Sequence, residues 1–459
     1  MKNRQYIYNK SVRQCSGNMG YKKGDVIMTS EPYAHVLALR HRSERCSYCL
    51  MRSADLKRCT ACTQLRYCSK KCQRADWSVH KLECQCLKKV APNTPTDSVL
   101  LMLRLVLKYL SGDHLKKVYG DPGLRTFAHM MSHAEEIKKD AQRCEAFAKI
   151  CHTLALLAGS HITLPSNQEL LDIFGKMVVN TITIATEDLH ESLGAGIYLS
   201  PSLLDHRCSP NSVMTFQGKS LRLSAVENIA CDDITKVADH VFVSYIDQLA
   251  PSWVRQAQLK EQYYFLCTCP RCANPSLDQL MTSGIKEEAE TSENNGKCVS
   301  REGKTEAERA CQDLLQTVSD MHKSGASEEQ ILSLCEECLS KVKHQLPPFN
   351  VSHLRVLDCA LDAAIRCGMW EQALSYVVVT LQPYKTLYPA MSPNTGLMLM
   401  RAGKLQLYLG HTEEASVSLR EAEAILSVTH GQQSDLYQEL RDLLDQCREG
   451  SELSQTTSS

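Results

Sequence analysis

Apolar residues change their spacing along the chain, and these changes predict the order of strands and helices. Residues 1–45 hold short apolar runs separated by turn signals such as Lys23-Gly24-Asp25, a pattern that predicts short strands. Residues 98–185 carry apolar side chains at helical spacing, which predicts helices. Strand character returns in residues 194–247. The predicted strands there are 212–216, 221–226 and 240–246.

The last third of the chain is predicted to be helical after a polar interruption. Residues 282–308 are rich in Glu, Lys, Ser, Asn and Gly, which predicts a flexible linker. Farther on, segments 368–374 and 410–416 resemble each other at a separation of 42 residues. That spacing favours helix pairs of the tetratricopeptide (TPR) type, with a plain helical bundle as the alternative. Proline pair 347–348 and Pro383 are predicted to break helices.

Composition limits the class of protein. The 459 residues include 52 Lys or Arg and 52 Asp or Glu, so the net charge is zero. The charge of the whole chain therefore does not indicate a protein that binds polyelectrolytes. Residues 1–10 lack the apolar stretch of a secretory signal, and no apolar run approaches the length of a membrane span. The 23 cysteines cluster at metal-ligand spacing, which favours thiolates on zinc in a reducing compartment. Disulfides are the alternative.

Eight metal-ligand residues lie between positions 46 and 84. Alternating pairs would form two closed tetrahedral sites, which is typical of structural zinc rather than catalytic zinc. The first set is Cys46, Cys49, Cys68 and Cys72, and the second is Cys59, Cys62, His80 and Cys84. Residues 40–89 also hold 13 Lys or Arg against 4 Asp or Glu. This excess fits contact with nucleic acid or an acidic partner, and a solvated charged surface explains it equally well.

Four motifs together resemble one enzyme family. Residues 46–84 resemble a MYND zinc finger, and Leu-Leu-Asp-His-Arg-Cys-Ser-Pro-Asn at 203–211 is similar to the SET-domain segment NHSCxPN. Residues 233–235 and 244–247 resemble the SET segment that ends in a tyrosine, and the cysteines at 267–272 resemble a post-SET cluster. In this order the motifs resemble the SET-and-MYND (SMYD) lysine methyltransferases over nearly the entire chain.

The resemblance implies an α+β fold in which a MYND zinc module splits a SET β-fold. A post-SET zinc site and an all-helical, TPR-like C-terminal domain follow. The implied divisions are 1–45 (N-terminal part of SET), 46–84 (MYND), 85–193 (helical insert), 194–250 (core SET), 251–281 (post-SET), 282–308 (linker), 309–448 (TPR-like domain) and 449–459 (disordered tail).

A third zinc site is expected from the post-SET cysteines. Cys267, Cys269 and Cys272 supply three thiolates within six residues, so a fourth ligand must come from elsewhere. Cys208, beside Pro210 in a predicted tight turn, is the candidate. The alternative is that Cys208 is a buried free thiol.

The resemblance also implies the reaction, which is methyl transfer from S-adenosylmethionine to lysine side chains of histones or other proteins. Tyr245 is at the position of the catalytic tyrosine, whose hydroxyl orients the lysine amine. The expected cofactor-binding residues are Asn18, Asn180, Ser202, Leu203, Asp205, His206, Tyr263 and Phe265. An aromatic pair such as Tyr263 and Phe265 is also common in protein cores.

The chain departs from the family pattern near this site. Asp205 replaces the family asparagine, and Arg207 replaces a serine, which would bring a large cation beside the sulfonium site. The N-terminal cofactor motif around 17–25 is shortened. Residues 236–243 resemble an insertion that would either displace Tyr245 or lengthen a loop. These departures favour the alternative function, a catalytically impaired MYND/TPR adaptor that recruits partners.

Partners and location follow from the resemblance alone. A protein substrate with a target lysine is implied, and so is a location in both cytoplasm and nucleus. A proline-rich peptide or DNA is the candidate partner of the MYND module. A chaperone or another protein is the candidate partner of the C-terminal domain. No membrane association is expected, and the chain is expected to be monomeric.

Overall fold

The computed structural model describes residues 13–15, 18–116, 125–231, 237–284 and 305–457. These residues form two compact units. The first unit contains the described residues up to Tyr245 together with Gln258–Leu266. The second contains Ile246–Ala257 and the described residues from Cys267 onward.

The strands are short and lie in the first half of the chain. They are β1 (Arg13–Cys15), β2 (Asn18–Tyr21), β3 (Val26–Ser30), β4 (Ala34–Leu37), β5 (Lys57–Arg58), β6 (Arg66–Tyr67), β7 (Thr181–Ala185), β8 (Ser192–Ile197), β9 (Asp205–His206), β10 (Ser212–Gln217), β11 (Ser220–Ala225), β12 (Ile229–Ala230) and β13 (Phe242–Val243).

Helices occur in both units. They are α1 (Lys70–Val90), α2 (Asp97–Leu110), α3 (Ala134–Ile137), α4 (Ala141–Ala158), α5 (Asn167–Asn180), α6 (Val237–His240), α7 (Ser252–Tyr263), α8 (Pro270–Ala273), α9 (Ser276–Thr282), α10 (Glu306–Ser324), α11 (Glu328–Val342), α12 (Val351–Arg366), α13 (Trp370–Leu387), α14 (Pro393–Tyr408), α15 (Thr412–Thr429) and α16 (Asp435–Thr457).

The small sheets of the first unit join strands that are far apart in sequence. Strand β3 pairs antiparallel with β11, and β4 pairs antiparallel with β8. The same holds for β2 and β12. Strands that precede residue 46 therefore share sheets with strands that follow residue 190, and the predicted MYND module and the helices α1–α5 interrupt one β structure.

Helix α2 explains why the leucine-rich segment around residue 100 has no polar face. All nine residues from Val99 to Leu107 are buried, including Arg104. Apolar side chains of α1, α4, α5 and β4 share one core with this helix. A helix that is apolar all round has to be enclosed by other elements, and α2 is the enclosed centre of the insert.

The second unit contains a series of helices in which each helix from α10 to α16 packs against the next. The pair α12 and α13 and the pair α14 and α15 have identical lengths, and all four bounds are offset by 42 residues. Gly368 and Gly410 occupy the same junction in the two pairs, with φ values of +72° and +83°. The expected helix-pair repeat is therefore present, and its TPR assignment stays a prediction.

Several predicted boundaries are wrong. The stretch 240–246 was expected to be one strand, but only Phe242–Val243 is a strand and Val237–His240 is a helix. The Asn211 amide explains the short strand, because its Nδ2 donates to the His240 carbonyl at 2.7 Å and its Oδ1 accepts from the Phe242 N–H at 2.8 Å. These two bonds replace sheet hydrogen bonds. Residues 181–185, which were predicted to be helical, form β7.

The polar segments also differ from expectation where they are described. Residues 285–304 of the predicted linker lie outside the described residues, and Glu306 already begins α10. A capping box between Thr305 and Glu308 starts that helix. The predicted disordered tail is wrong as far as Thr457, because α16 continues to that residue. A single glycine, Gly450, lowers helix stability by only about 1 kcal/mol.

Pro383 lies inside α13 and does not break it. A proline within a helix leaves the carbonyl four residues earlier without its N–H partner. Here that residue is Val379, which is 46% exposed, so water can serve the carbonyl. The proline itself is buried.

Candidate active site and metal centres

A cavity of about 660 Å³ in the first unit collects most of the predicted site residues. Its wall includes the end of α5, the turn before β9, the segment after β13, and the end of α7 with the residues that follow it. Eight of the nine predicted catalytic and cofactor-binding residues line it: Asn180, Ser202, Leu203, Asp205, His206, Tyr245, Tyr263 and Phe265. The ninth, Asn18, lies on β2, and its side chain is outside what the structure describes.

A parallel pairing of two short strands brings Tyr245 to His206. Strand β13 lies beside β9, with Phe242 opposite Asp205 and Val243 opposite His206. The backbone N–H of Tyr245 then donates to His206 Nδ1 at 3.0 Å. The described residues 237–243 therefore do not displace the tyrosine, because the pairing of β13 with β9 fixes its register.

The hydroxyl of Tyr245 donates to the backbone carbonyl of Leu204. Its ring lies 4.9 Å from that of Tyr263 and meets Phe265 edge-on at 6.4 Å between centroids. Burial raises the pKa of Tyr245, the charge of Asp205 raises it further, and the phenol is neutral at physiological pH. Burial raises the pKa of Tyr263 as well. The site thus presents neutral aromatic hydroxyls and ring faces.

Hydrogen bonds fix the polar part of the wall. Ser202 Oγ donates to the Leu199 carbonyl at 2.7 Å. The amide of Asn180 donates to the carbonyls of Met131 and Lys176, at 3.0 and 2.8 Å. These bonds hold the turn before β9 and the end of α5 in one arrangement.

Arg207 does not occupy the place that the sequence suggested. Its guanidinium stacks on the Phe242 ring, 3.5 Å from the centroid. Its side chain is exposed, and it is not among the residues that line the cavity. Since Arg207 follows β9 and neighbouring strand residues face opposite ways, His206 faces inward and Arg207 outward. The expected cation beside the sulfonium site is therefore absent from the described lining.

Among the lining residues that were not predicted from the sequence are Arg125, Met131 and His133. They come from the stretch between α2 and α4, where no motif marks them. Asn180 was the only available signal, because its amide contacts the Met131 carbonyl.

The two predicted metal sets of residues 46–84 are each gathered in space. In each set the four ligand atoms lie within 4.8 Å of one another. The first set consists of cysteines 46, 49, 68 and 72, and the second combines cysteines 59, 62 and 84 with His80. The segment before β5, the hairpin of β5 and β6, and α1 carry these ligands. Each donor set is what a tetrahedral structural zinc requires.

A buried ionic network supports the second set. His80 Nδ1 lies 2.8 Å from Glu83 Oε2, a contact that leaves Nε2 facing Cys62 Sγ at 3.6 Å. Arg104 contacts both oxygens of Glu83, at 2.8 and 2.9 Å, and reaches Asp76 Oδ2 at 3.2 Å. Burial alone would raise the pKa of Glu83, but Arg104 and His80 hold it at about 2. A carboxylate behind a histidine ligand fixes the ring and the tautomer.

The remaining cysteines are described unit by unit. The sulfur atoms of Cys267, Cys269 and Cys272 lie within 4.8 Å of one another in the second unit, around the short helix α8. Cys208 belongs to the first unit and is fully buried. His206 Nε2 lies 3.2 Å from its sulfur.

Comparisons with known proteins agree with these motifs. Residues 46–84 match the MYND finger family. The chain is 33% identical to the human histone-lysine N-methyltransferase SMYD3 over 432 residues, which cover 93% of both chains. It belongs to the SMYD family. The mouse SMYD3 is 32% identical with the same coverage. The human N-lysine methyltransferase SMYD2 is 28% identical over 93% of this chain and 94% of its own.

Two other findings are limited in reach. Two solved TPR-like repeat structures from Podosopora anserina cover 33% of this chain at a TM-score of 0.27 and 13% identity, a likeness too low to carry any argument. Among the described helices, none has the length and apolar character needed to cross a membrane.

Proposed function

We propose that this SMYD-family chain transfers methyl groups from S-adenosylmethionine to lysine side chains of histones or other proteins. The observation that carries the proposal is that Tyr245, His206 and the turn at 201–205 line one cavity, although they come from separate strands and loops. We further infer that the interrupted β structure is a SET fold split by the MYND module.

The lining residues fit the proposed cofactor. A volume of about 660 Å³ is within the range of sites that bind molecules of this size. The rings of His206, Tyr245, Tyr263 and Phe265 lie in one cluster, with neighbouring centroids 4.9 to 6.4 Å apart. Aromatic faces attract a cation such as a sulfonium. When bound, S-adenosylmethionine supplies the methyl group that is transferred.

The side chains of the cavity act on the lysine amine. Because the Tyr245 hydroxyl donates its proton to the Leu204 carbonyl, its oxygen is left to accept from an amine. Transfer of the lysine from water into the cavity disfavours its charged form and so favours the neutral amine that reacts. Fixed positions of Tyr245 and Tyr263 would then supply alignment, which accounts for much of the rate of such transfers.

We also propose a third zinc ion, held by Cys267, Cys269, Cys272 and Cys208. Tyr245 N–H can only donate, so His206 Nδ1 is the acceptor and the proton of the neutral ring lies on Nε2. That proton points to Cys208 Sγ at 3.2 Å. A sulfur that accepts a hydrogen bond suits a metal-bound thiolate. Total zinc of three ions per chain, falling to two in Cys208→Ser, is the expected result.

Membership of the family extends the proposal to partners and location. The substrate would be a histone or another protein with an exposed lysine. A proline-rich peptide or DNA would bind the MYND module, and a chaperone or another protein the helical domain. The protein would act as a monomer in cytoplasm and nucleus. In the adaptor alternative, the MYND module and the helical domain would recruit partners without any methyl transfer.

The test is tritium transfer from labelled S-adenosylmethionine to histones by the zinc-loaded chain. Tyr245→Phe removes the hydroxyl that orients the amine, and a misalignment of this kind costs on the order of 10²-fold in rate. Tyr33→Phe is the matched control, since it removes a buried hydroxyl outside the described cavity lining. Equal transfer by both variants would contradict the role of Tyr245. No transfer by the unaltered chain to histones or to the other proteins of a cell extract would favour the adaptor.

A further inference from the structure

The cavity wall contains an arginine that the sequence motifs did not indicate. Arg125 lines the cavity together with Ser202 and Asp205. Its Nη1 donates to the Ser202 carbonyl at 2.8 Å and to Ser202 Oγ at 3.0 Å. Its Nη2 donates to the His129 carbonyl at 3.2 Å. The guanidinium is therefore held against the turn that we expect to bind the cofactor.

The segment that carries Arg125 is itself anchored. Phe127 is 1% exposed and stacks on Tyr33, with centroids 5.2 Å apart and planes within 12°. Lys176 Nζ lies over the Phe127 ring, 5.4 Å from its centroid. A charged donor that is already fixed in place loses little conformational entropy when it binds a ligand.

The charges of the wall match those of an amino acid. Asp205 supplies a carboxylate and Arg125 a permanent cation to the same cavity. Both charges act on the Tyr245 hydroxyl: after burial, Asp205 raises its pKa, and Arg125 lowers it. The methionine end of the proposed cofactor carries one ammonium and one carboxylate group, so it needs one partner of each sign.

We propose that Arg125 binds the methionine carboxylate of S-adenosylmethionine while Asp205 accepts from its ammonium group. This inference rests on the proposed function and adds a specificity-determining residue to it. Charge-assisted hydrogen bonds from a guanidinium to a carboxylate are among the stronger ones in proteins. Asp205, which replaces the family asparagine, and Arg125 then form a pair of opposite charges that binds the ammonium and the carboxylate of the methionine end.

The test compares two ligands by calorimetric titration into the zinc-loaded full chain. S-Adenosylhomocysteine has the amino-acid end, whereas 5′-methylthioadenosine lacks it. Arg125→Met is expected to weaken the binding of S-adenosylhomocysteine about tenfold to a hundredfold. This is the usual effect of losing a hydrogen bond to a charged group. The same variant is expected to bind 5′-methylthioadenosine with the same affinity as the unaltered chain. Arg125→Lys, which keeps the charge but not the planar fork, should fall between.

The outcomes separate this inference from the proposed function. An equal loss for both ligands would mean that Arg125 only holds the turn at Ser202, and an unchanged affinity for S-adenosylhomocysteine would mean that it does not bind the carboxylate. Either result overturns the inference and leaves methyl transfer standing. Failure of the unaltered chain to bind either ligand would overturn the proposed function and this inference with it.

Discussion

The MYND module and the helical unit stabilise their interiors in opposite ways. In the module, cysteines 46, 59 and 62, His80 and Glu83 are all less than 3% exposed. In the helical unit, the buried positions are mostly leucine, alanine and valine, as along α12. Metal-ligand and charged side chains make up much of the first interior, and apolar side chains make up most of the second.

The difference shows what each region depends on. Thiolates, imidazole and carboxylate can be buried only with a metal or an ion pair to compensate their desolvation. Helix packing needs no such partner, because burial of apolar surface stabilises it directly. Loss of metal or of a buried ion should therefore strongly destabilise the module. The stability of the helical unit should depend on charge mainly where a polar group lies among its apolar side chains.

The largest effect is expected from His80→Ala, which removes a ligand of the second metal set. Structural zinc contributes roughly 10–16 kcal/mol to small modules of this kind, so the module should not stay folded. Atomic emission should show at least one zinc ion fewer per chain. The thermal transition in which the module unfolds should be lost. His152→Ala, an exposed histidine on α4, serves as the control. Unchanged zinc content in His80→Ala would contradict the assignment.

The next effect tests the ionic network behind that site. Arg104→Met leaves the Glu83 carboxylate buried without its guanidinium, and losing one partner of a buried pair costs about 3–5 kcal/mol. Urea unfolding should show this loss. Lys88→Met, which removes an exposed cation from α1, should change stability by no more than about 0.5 kcal/mol. Equal effects of the two variants would show that the network does not stabilise the module.

Helix α12 of the helical unit carries an acidic side chain, Asp358, among its apolar positions. Its Oδ2 accepts from the Tyr384 hydroxyl at 2.8 Å, and its Oδ1 is buried without a hydrogen-bond partner. Burial raises the pKa of Asp358 to about 7, although Tyr384, Arg355 and Arg401 act to lower it. The folded state thus holds a proton that the unfolded chain releases near pH 4.

The Asp358 carboxyl predicts that the stability of the helical unit depends on pH. A pKa that is higher in the folded state gives stability that is complete below about pH 4 and is lost as the pH rises to about 7. The difference is roughly 4 kcal/mol at most, since one pKa unit corresponds to about 1.4 kcal/mol. Thermal unfolding of Asp358→Asn between pH 4 and 8 should lack this slope. Asp313→Asn, at an exposed aspartate on α10, should retain it. A retained slope in Asp358→Asn would contradict the assignment.

The sequence alone was sufficient where the chemistry is local. Each metal set of the module consists of two ligand pairs at short spacing, so the spacing predicted the grouping that the structure shows. The motif around Asp205 and His206 likewise identified the turn of the cavity by resemblance. Helix pairs were predictable for the same reason, since residues 368–374 and 410–416 mark the same junction.

What could not be predicted depends on contacts between distant residues. Arg125 reaches Ser202 across 77 positions, and no local pattern distinguishes it from other surface arginines. The outward direction of Arg207 follows from the pairing of β13 with β9, which joins residues nearly 40 positions apart. Pro383 was misjudged because a proline is tolerated in a helix when the carbonyl it deprives, that of Val379, lies near solvent.

The central claim is that the cavity at Tyr245 binds S-adenosylmethionine. The most direct test is calorimetric titration of this compound into the purified, zinc-loaded chain, with Tyr245→Phe alongside. We predict saturable binding at one site per chain in both proteins, and tritium transfer to histones only by the unaltered chain. No detectable binding by a folded chain with its full zinc content would contradict the claim, and the adaptor function would replace it.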